Sequence, residues 1–193
     1  MNDKKATLVG YHGHRNLGDD IFLRVLINWL GKSLGVGECF VIGNGPAIPG
    51  ILDGVKLHAV ENPVKGIARI LWLPILYRSI KSDYLVFAAG SIFTIQPFFI
   101  MYVVLFLLKI IREDKLKIAA IGISVGPFKS DFDRYWCFKS LGLMDSILLR
   151  DEASKRLFDE AAVETSYGLS YDMALCWENI FLKKKRNMQK TKQ

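Results

Sequence analysis

Cysteine and histidine are scarce in this 193-residue chain, which contains three of each. The cysteines, Cys39, Cys137 and Cys176, are widely spaced, and no Cys-x-x-Cys pair occurs. An odd number at such spacing argues against a disulfide framework and against a structural zinc site. We therefore expect no metal and no cofactor, and a protein of the reducing cytoplasm.

A hydrophobic run long enough to cross a membrane is also missing from the sequence. The longest apolar run, residues 98–108, is shorter than the roughly 20 residues that a spanning helix needs. Pro97 precedes it and is typical of a helix start. We interpret the run as a buried helix that packs on a sheet. The alternative is an element at the membrane surface, and both interpretations stay open at this point.

Basic residues outnumber acidic ones, 26 to 19, which gives a net charge of +7. Much of the excess lies in the last eleven residues, a run more typical of a solvated tail than of a binding site. The rest of the chain is nearly neutral and shows no interleaved aromatic and basic residues, so we expect no nucleic-acid binding. We predict one folded domain over residues 1–182 and a disordered basic tail over residues 183–193.

Short apolar runs alternate with longer helical stretches along the chain. This order predicts an α/β protein with a Rossmann-like open parallel sheet and helices on both faces. Strands are predicted at residues 6–11, 39–43, 56–60, 84–88, 117–124, 146–149 and 169–171. Helices are predicted at residues 18–34, 64–81 with a bend at Pro74, 98–112, 131–143 and 152–161.

Glycine-rich or polar turns follow the predicted strands and should line one edge of the sheet, where ligands bind in open parallel sheets. The first turn is neither a G-x-G-x-x-G nor a Walker sequence, so a dinucleotide or ATP site has little support. Asp19 and Asp20 could also simply stabilise the helix dipole, and Ser91 could cap a helix. The candidate ligand-binding residues of this edge are His12, His14, Arg15, Asn16, Asp19, Asp20 and Ser91.

Five motifs follow one another along the chain: GYHG followed by NLGDD, then YLVFAAGS, GISVGP, LRDEAS and YDMA. Together they cover residues 8–175. In sequence and in order they resemble the N-terminal half of polysaccharide pyruvyl transferases. The sequence departs from the family at Ala89, where glycine is usual, and at Met173, where proline is usual.

The resemblance implies the N-terminal half of a GT-B-like two-domain fold. It also implies transfer of the pyruvyl group of phosphoenolpyruvate, the donor, to a sugar of a cell-surface polysaccharide or exopolysaccharide. The acceptor would be that sugar or a lipid-linked oligosaccharide, so we expect a cytoplasmic protein with possible peripheral contact to the membrane surface. In the family, the catalytic histidine and further donor contacts lie in a second domain. We therefore expect a truncated protein with a missing C-terminal half, and a chain that is inactive alone.

Within the LRDEAS motif, the resemblance places a phosphoenolpyruvate-binding arginine at Arg150. A guanidinium fork can hold a carboxylate or phosphate with two hydrogen bonds. The alternative is a structural ion pair between Arg150 and Asp151. Ser154 is the second donor-binding candidate, and it could instead cap a helix or lie on a helix surface.

Two other functions remain open on the sequence. The chain could be a non-catalytic remnant that binds sugar or phosphate and has lost the chemistry. It could also be half of a glycosyltransferase that uses a nucleotide sugar, since such enzymes take most nucleotide contacts from their other half.

Overall fold

A computed structural model describes residues 3–12, 17–43, 50–61, 72–88, 90, 93 and 97–170. Within these residues the chain forms an eight-stranded sheet and five α-helices. The strands are β1 (Lys4–His12), β2 (Val36–Gly43), β3 (Ile51–Leu52), β4 (Val55–Glu61), β5 (Tyr84–Phe87), β6 (Lys117–Ile123), β7 (Ser146–Leu149) and β8 (Tyr167–Leu169). The helices are α1 (Leu17–Leu34), α2 (Trp72–Ser79), α3 (Phe98–Arg112), α4 (Asp131–Leu141) and α5 (Glu152–Ala161).

The sheet has the strand order β3-β4-β2-β1-β5-β6-β7-β8. Every neighbouring pair is parallel except β3 and β4. The chain builds outward from β1 through β2 to β4, then returns to the other side of β1 with β5. The order therefore reverses between β1 and β5, which is the switch point where open α/β sheets bind ligands.

The two faces of the sheet carry separate hydrophobic cores. On one face α1 packs on β1, β2 and β4, with Leu26 and Ile27 of the helix and Leu8 and Val41 of the strands all buried. Helices α2, α3, α4 and α5 pack on the other face of the sheet. In the part of the chain that the structure describes, no helix is long and apolar enough to span a membrane. Successive residues of β5 alternate between the two cores, as strand geometry requires. The predicted Rossmann-like sheet with helices on both faces is confirmed.

Helix boundaries follow the sequence signals closely. The bounds predicted for α3 and α5 are those of the structure, while α4 stops two residues early, before Gly142. Pro74 is the third residue of α2, where its missing N–H removes no intrahelical bond. Residues 64–71 lie outside the described residues, so the predicted bend stays a prediction. The same holds for the tail at residues 183–193.

The antiparallel edge strand β3 was not predicted. It pairs with β4 in a hairpin whose two-residue loop is Asp53-Gly54, with φ of 48° and 83°. Positive φ at both positions is typical of a type I′ turn, for which Asp-Gly is a preferred sequence. Two residues are too few to show strand periodicity, so the Asp-Gly pair was the only available signal.

Candidate functional site

The carboxyl ends of the parallel strands lie along one edge of the sheet. Backbone hydrogen bonds continue the sheet past the strands there: Ala88 N–H donates to Val9 O (2.8 Å), Ser124 N–H to Gly90 O (2.6 Å) and Arg150 N–H to Ile123 O (2.9 Å). His12 at the end of β1 and Arg150 after β7 are therefore on the same edge. The glycine-rich and polar turns that follow the predicted strands led us to expect this common edge.

The Arg150 side chain crosses the end of β6 to reach the turn after β5. A Cβ atom built on Gly90 would lie 2.2 Å from Nη1 and 2.8 Å from Cζ of Arg150. The guanidinium thus occupies the space that any other residue at position 90 would fill with its side chain. Because β5 borders β1, this contact brings an exposed cation towards the switch point. Among the described residues, none forms an ion pair with Arg150.

A polar clamp fixes the backbone on either side of Arg150. The Asp151 carboxylate accepts hydrogen bonds from the Ser124 hydroxyl (2.5 Å) and from the Ser154 N–H (2.8 Å). The second bond caps the N-terminus of α5. Ser124 follows β6 and Asp151 follows β7, so the clamp joins two neighbouring turns of the edge.

Asp151 is held in its charged form. Burial opposes ionisation of its carboxyl, but the hydrogen bonds from Ser124 and Ser154 and the charge of Arg150 together lower its pKa below the ordinary value. The carboxylate therefore stays an acceptor throughout the neutral range. Its hydrogen bonds hold the turn from which the Arg150 side chain extends.

Ser154 lies underneath this edge. Its side chain is buried, and its hydroxyl accepts a hydrogen bond from the Val125 N–H at 2.8 Å. The alternative of a serine on the helix surface is therefore wrong, because Ser154 shares the inward side of α5 with Phe158, four residues later. The contact positions the turn after β6. Direct donor binding by Ser154 stays a prediction.

The first turn is only partly described. His12 is completely buried, and its ring packs on Gly10, where a Cβ would lie 2.5 Å from Nε2. Asp19 and Asp20 occupy the first turn of α1 and are half-buried, which fits a favourable dipole interaction. The ligand-binding roles of these three residues stay predictions. His14, Arg15, Asn16 and Ser91 lie outside the described residues.

A cavity of about 950 Å³ lies between the turn after β6 and α5. Ser124, Asp151 and Ser154 form part of its wall, and Lys129 and Arg156 add positive charge. Its volume falls within the range of small-molecule sites. The same three residues of the clamp therefore hold the turn that carries Arg150 and line this cavity. The sequence analysis did not identify the cavity.

Neither described cysteine suits nucleophilic chemistry. Cys39 and Cys137 are both buried with free thiols. Burial raises the pKa of Cys39 to about 12 and raises that of Cys137 well above its usual value, with a smaller effect from Glu38 and Asp133 respectively. Both are core residues that stay protonated at neutral pH.

Fold and site together define a Rossmann-like α/β protein with an exposed arginine at the sheet edge beside its switch point, which is the candidate ligand-binding edge. A family model described as polysaccharide pyruvyl transferase matches residues 16–190. The chain belongs to the polysaccharide pyruvyl transferase family, which confirms the resemblance in its motifs and indicates a polysaccharide or sugar acceptor. Among proteins with curated descriptions, none matches the chain.

Proposed function

We propose that this chain acts in the transfer of the pyruvyl group of phosphoenolpyruvate to a polysaccharide sugar, and that Arg150 binds the donor. The observation that carries the proposal is the contact between the Arg150 guanidinium and Gly90 at the switch-point edge. Family membership supports the reaction class. Arg150 forms no ion pair with a described residue, and a planar cation so placed supports an anionic ligand.

The donor presents two anionic groups, a carboxylate and a phosphate, to such a site. Protonation of its methylene carbon produces a methyl group and a cationic centre at the carbon that carries the phosphate. A sugar hydroxyl then attacks that carbon, phosphate leaves, and a second hydroxyl completes the ketal. A guanidinium that holds the carboxylate or phosphate keeps the donor in place while this charge develops.

We assign the proton transfer to none of the described residues. The described edge supplies a cation and a clamp, and the resemblance places the family's catalytic histidine in a second domain. The expected behaviour of this chain alone is therefore donor binding without turnover. An assay of phosphate release with phosphoenolpyruvate and candidate glycans checks this, and rapid release by the purified chain would contradict it.

The donor site is tested by calorimetric titration of the chain with phosphoenolpyruvate. Arg150→Ala should cost about 1.5–3 kcal/mol of binding, the range for hydrogen bonds to charged groups, or about 10- to 140-fold in Kd. Arg24→Ala is the control, since Arg24 is an exposed arginine of α1, on the opposite sheet face from α5. Unchanged affinity in Arg150→Ala would remove this residue from the site. Binding of a UDP-sugar in place of phosphoenolpyruvate would favour the glycosyltransferase alternative.

Gly90→Ala examines the same site without removing the charge. The new methyl group would displace the guanidinium, which can swing away because it is the end of a flexible side chain. We expect weaker donor binding with nearly unchanged thermal stability. Gly50→Ala is the matched control, since no atom lies within 4 Å of its added Cβ. Equal donor affinity in the two variants would show that the Gly90 contact does not matter for binding.

A further inference from the structure

The cavity between the turn after β6 and α5 has an apolar wall. Phe128 and Leu157 line it, and both are half-buried. The Phe128 ring is held on the core, with its centroid 6.2 Å from that of Phe98 and 5.8 Å from that of Phe138. The π face of an aromatic ring is negative and attracts the weakly positive C–H groups of a sugar ring. The cavity therefore contains a side chain on which a sugar can pack.

Gly126 keeps room at this apolar wall. A Cβ atom built on it would lie 3.2 Å from Leu157 Cδ1 and 3.5 Å from Phe128 Cε2. Its φ of 76° lies in the region that favours glycine. A larger residue at this position would therefore narrow the cavity.

The charged side chains around the cavity nearly cancel one another. Three that line it are basic and two are acidic: Lys129, Arg134, Arg156, Asp131 and Asp151. Arg134 is also paired with Glu160 at 3.2 Å, which adds a third acid. The Arg150 guanidinium is not among the lining groups and lies against Gly90. Balanced charge of this kind disfavours a strongly anionic ligand and suits a neutral one that both donates and accepts hydrogen bonds.

Three of the charged side chains are available to such a ligand. Lys129, Asp131 and Arg156 are exposed, and none of them forms an ion pair with a described residue. Ammonium and guanidinium groups donate to the oxygen of a sugar hydroxyl, and a carboxylate accepts its proton in a hydrogen bond. The cavity therefore offers both kinds of partner that sugar hydroxyls need, beside an aromatic wall.

A second cavity continues from the first along α4. It has a volume of about 670 Å³, lies between α4 and the end of α5, and shares Asp131 and Arg134 with the first cavity. The rings of Tyr135 and Phe138 form part of its wall. We call the two cavities together the α4 groove. Because the groove is elongated and begins at the sheet edge, it suits a chain of sugar units better than a single small molecule.

We propose that the α4 groove binds the acceptor glycan as a neutral oligosaccharide, with the reacting sugar at the sheet edge and further units along α4. The inference rests on the proposed function, because family membership indicates a polysaccharide or sugar acceptor. Asp151 borders the groove and holds the turn that carries Arg150. The reacting sugar and the donor would therefore meet across the clamp.

Glycan binding is tested by NMR saturation transfer from the full chain to tetrasaccharides of glucose, galactose and mannose, and to the three monosaccharides. At least one tetrasaccharide should bind more tightly than its monosaccharide, because the groove has room for several units. Ala153→Phe should remove most of this binding, since Ala153 is exposed in the cavity wall and the new ring would fill the space. Ala59→Phe is the matched control, at an exposed alanine of β4. Both variants should retain the unfolding midpoint of the natural chain.

A second pair of variants examines the hydrogen-bonding groups without filling the groove. The double variant Lys129→Ala, Arg156→Ala should bind the tetrasaccharide at least about tenfold more weakly, the effect of losing one hydrogen bond to a charged group. The double variant Arg24→Ala, Lys56→Ala is its control, since it removes the same charges from exposed positions of α1 and β4.

The outcomes distinguish this inference from the proposed function. If the natural chain binds phosphoenolpyruvate but no tetrasaccharide, the α4 groove is not the acceptor site and the donor site stands. Tetrasaccharide binding without phosphoenolpyruvate binding would support the groove and contradict the donor site. Equal tetrasaccharide affinity in Ala153→Phe and Ala59→Phe would overturn the inference. Displacement of the tetrasaccharide by inorganic phosphate would overturn it as well, since it would assign the groove to anions.

Discussion

Helices α3 and α5 cover the same face of the sheet, yet their outward surfaces differ completely. The outward side of α5 is charged, and the Asp151 carboxylate caps its first turn. The outward side of α3 is apolar, and Pro97 before it makes no side-chain capping bond. Burial against the sheet fixes only the inward side of each helix. The outward side is therefore free to differ between the two helices, charged on α5 and apolar on α3.

The largest expected effect is a difference in the free energy of unfolding between alanine variants of one phenylalanine on each helix. Phe158 of α5 is completely buried against Phe138 and Tyr167, so Phe158→Ala should lower the free energy of unfolding by about 3–5 kcal/mol. Phe106 of α3 is 45% exposed, so Phe106→Ala should cost about 1 kcal/mol or less. Urea unfolding of both variants measures the difference. Similar losses would mean that the outward face of α3 packs on another part of the protein.

A smaller effect is expected from the cap that α5 has and α3 lacks. Asp151→Ala removes the acceptor for both Ser124 and Ser154 and should cost about 1–2 kcal/mol. The control is Ser130→Ala, which removes the exposed cap of α4 and should cost about 0.5 kcal/mol. Chemical unfolding ranks the two variants. A loss in Asp151→Ala no larger than that of the control would show that the clamp adds nothing to an ordinary cap.

Sequence periodicity predicts the sheet, the two bounds of α3 and the common edge, because these depend on local patterns and on strand geometry. The contact of Arg150 with Gly90 does not follow from those patterns, since it spans an intervening strand and 60 positions of chain. The burial of Ser154 had a weak signal in its spacing of four from Phe158, on the same side of α5. The sequence of α3 is apolar on both sides of the helix, so it does not indicate which side is buried or whether both are. That depends on tertiary packing.

The smallest expected effect is a loss of stability at low pH. We expect this loss in α5 and not in α3. Because the pKa of Asp151 is lower in the folded chain, its contribution is complete above the ordinary aspartate value near 3.9 and is lost as pH falls through the folded value. Asp151→Asn keeps a good helix cap but removes the charge, so its stability should fall less steeply below about pH 4 than that of the natural chain. Hydrogen exchange localises the effect: in the natural chain, acid should lower protection in α5 relative to α3. Parallel loss of protection in both helices would show that the carboxylate stabilises the whole domain and not the candidate ligand-binding edge in particular.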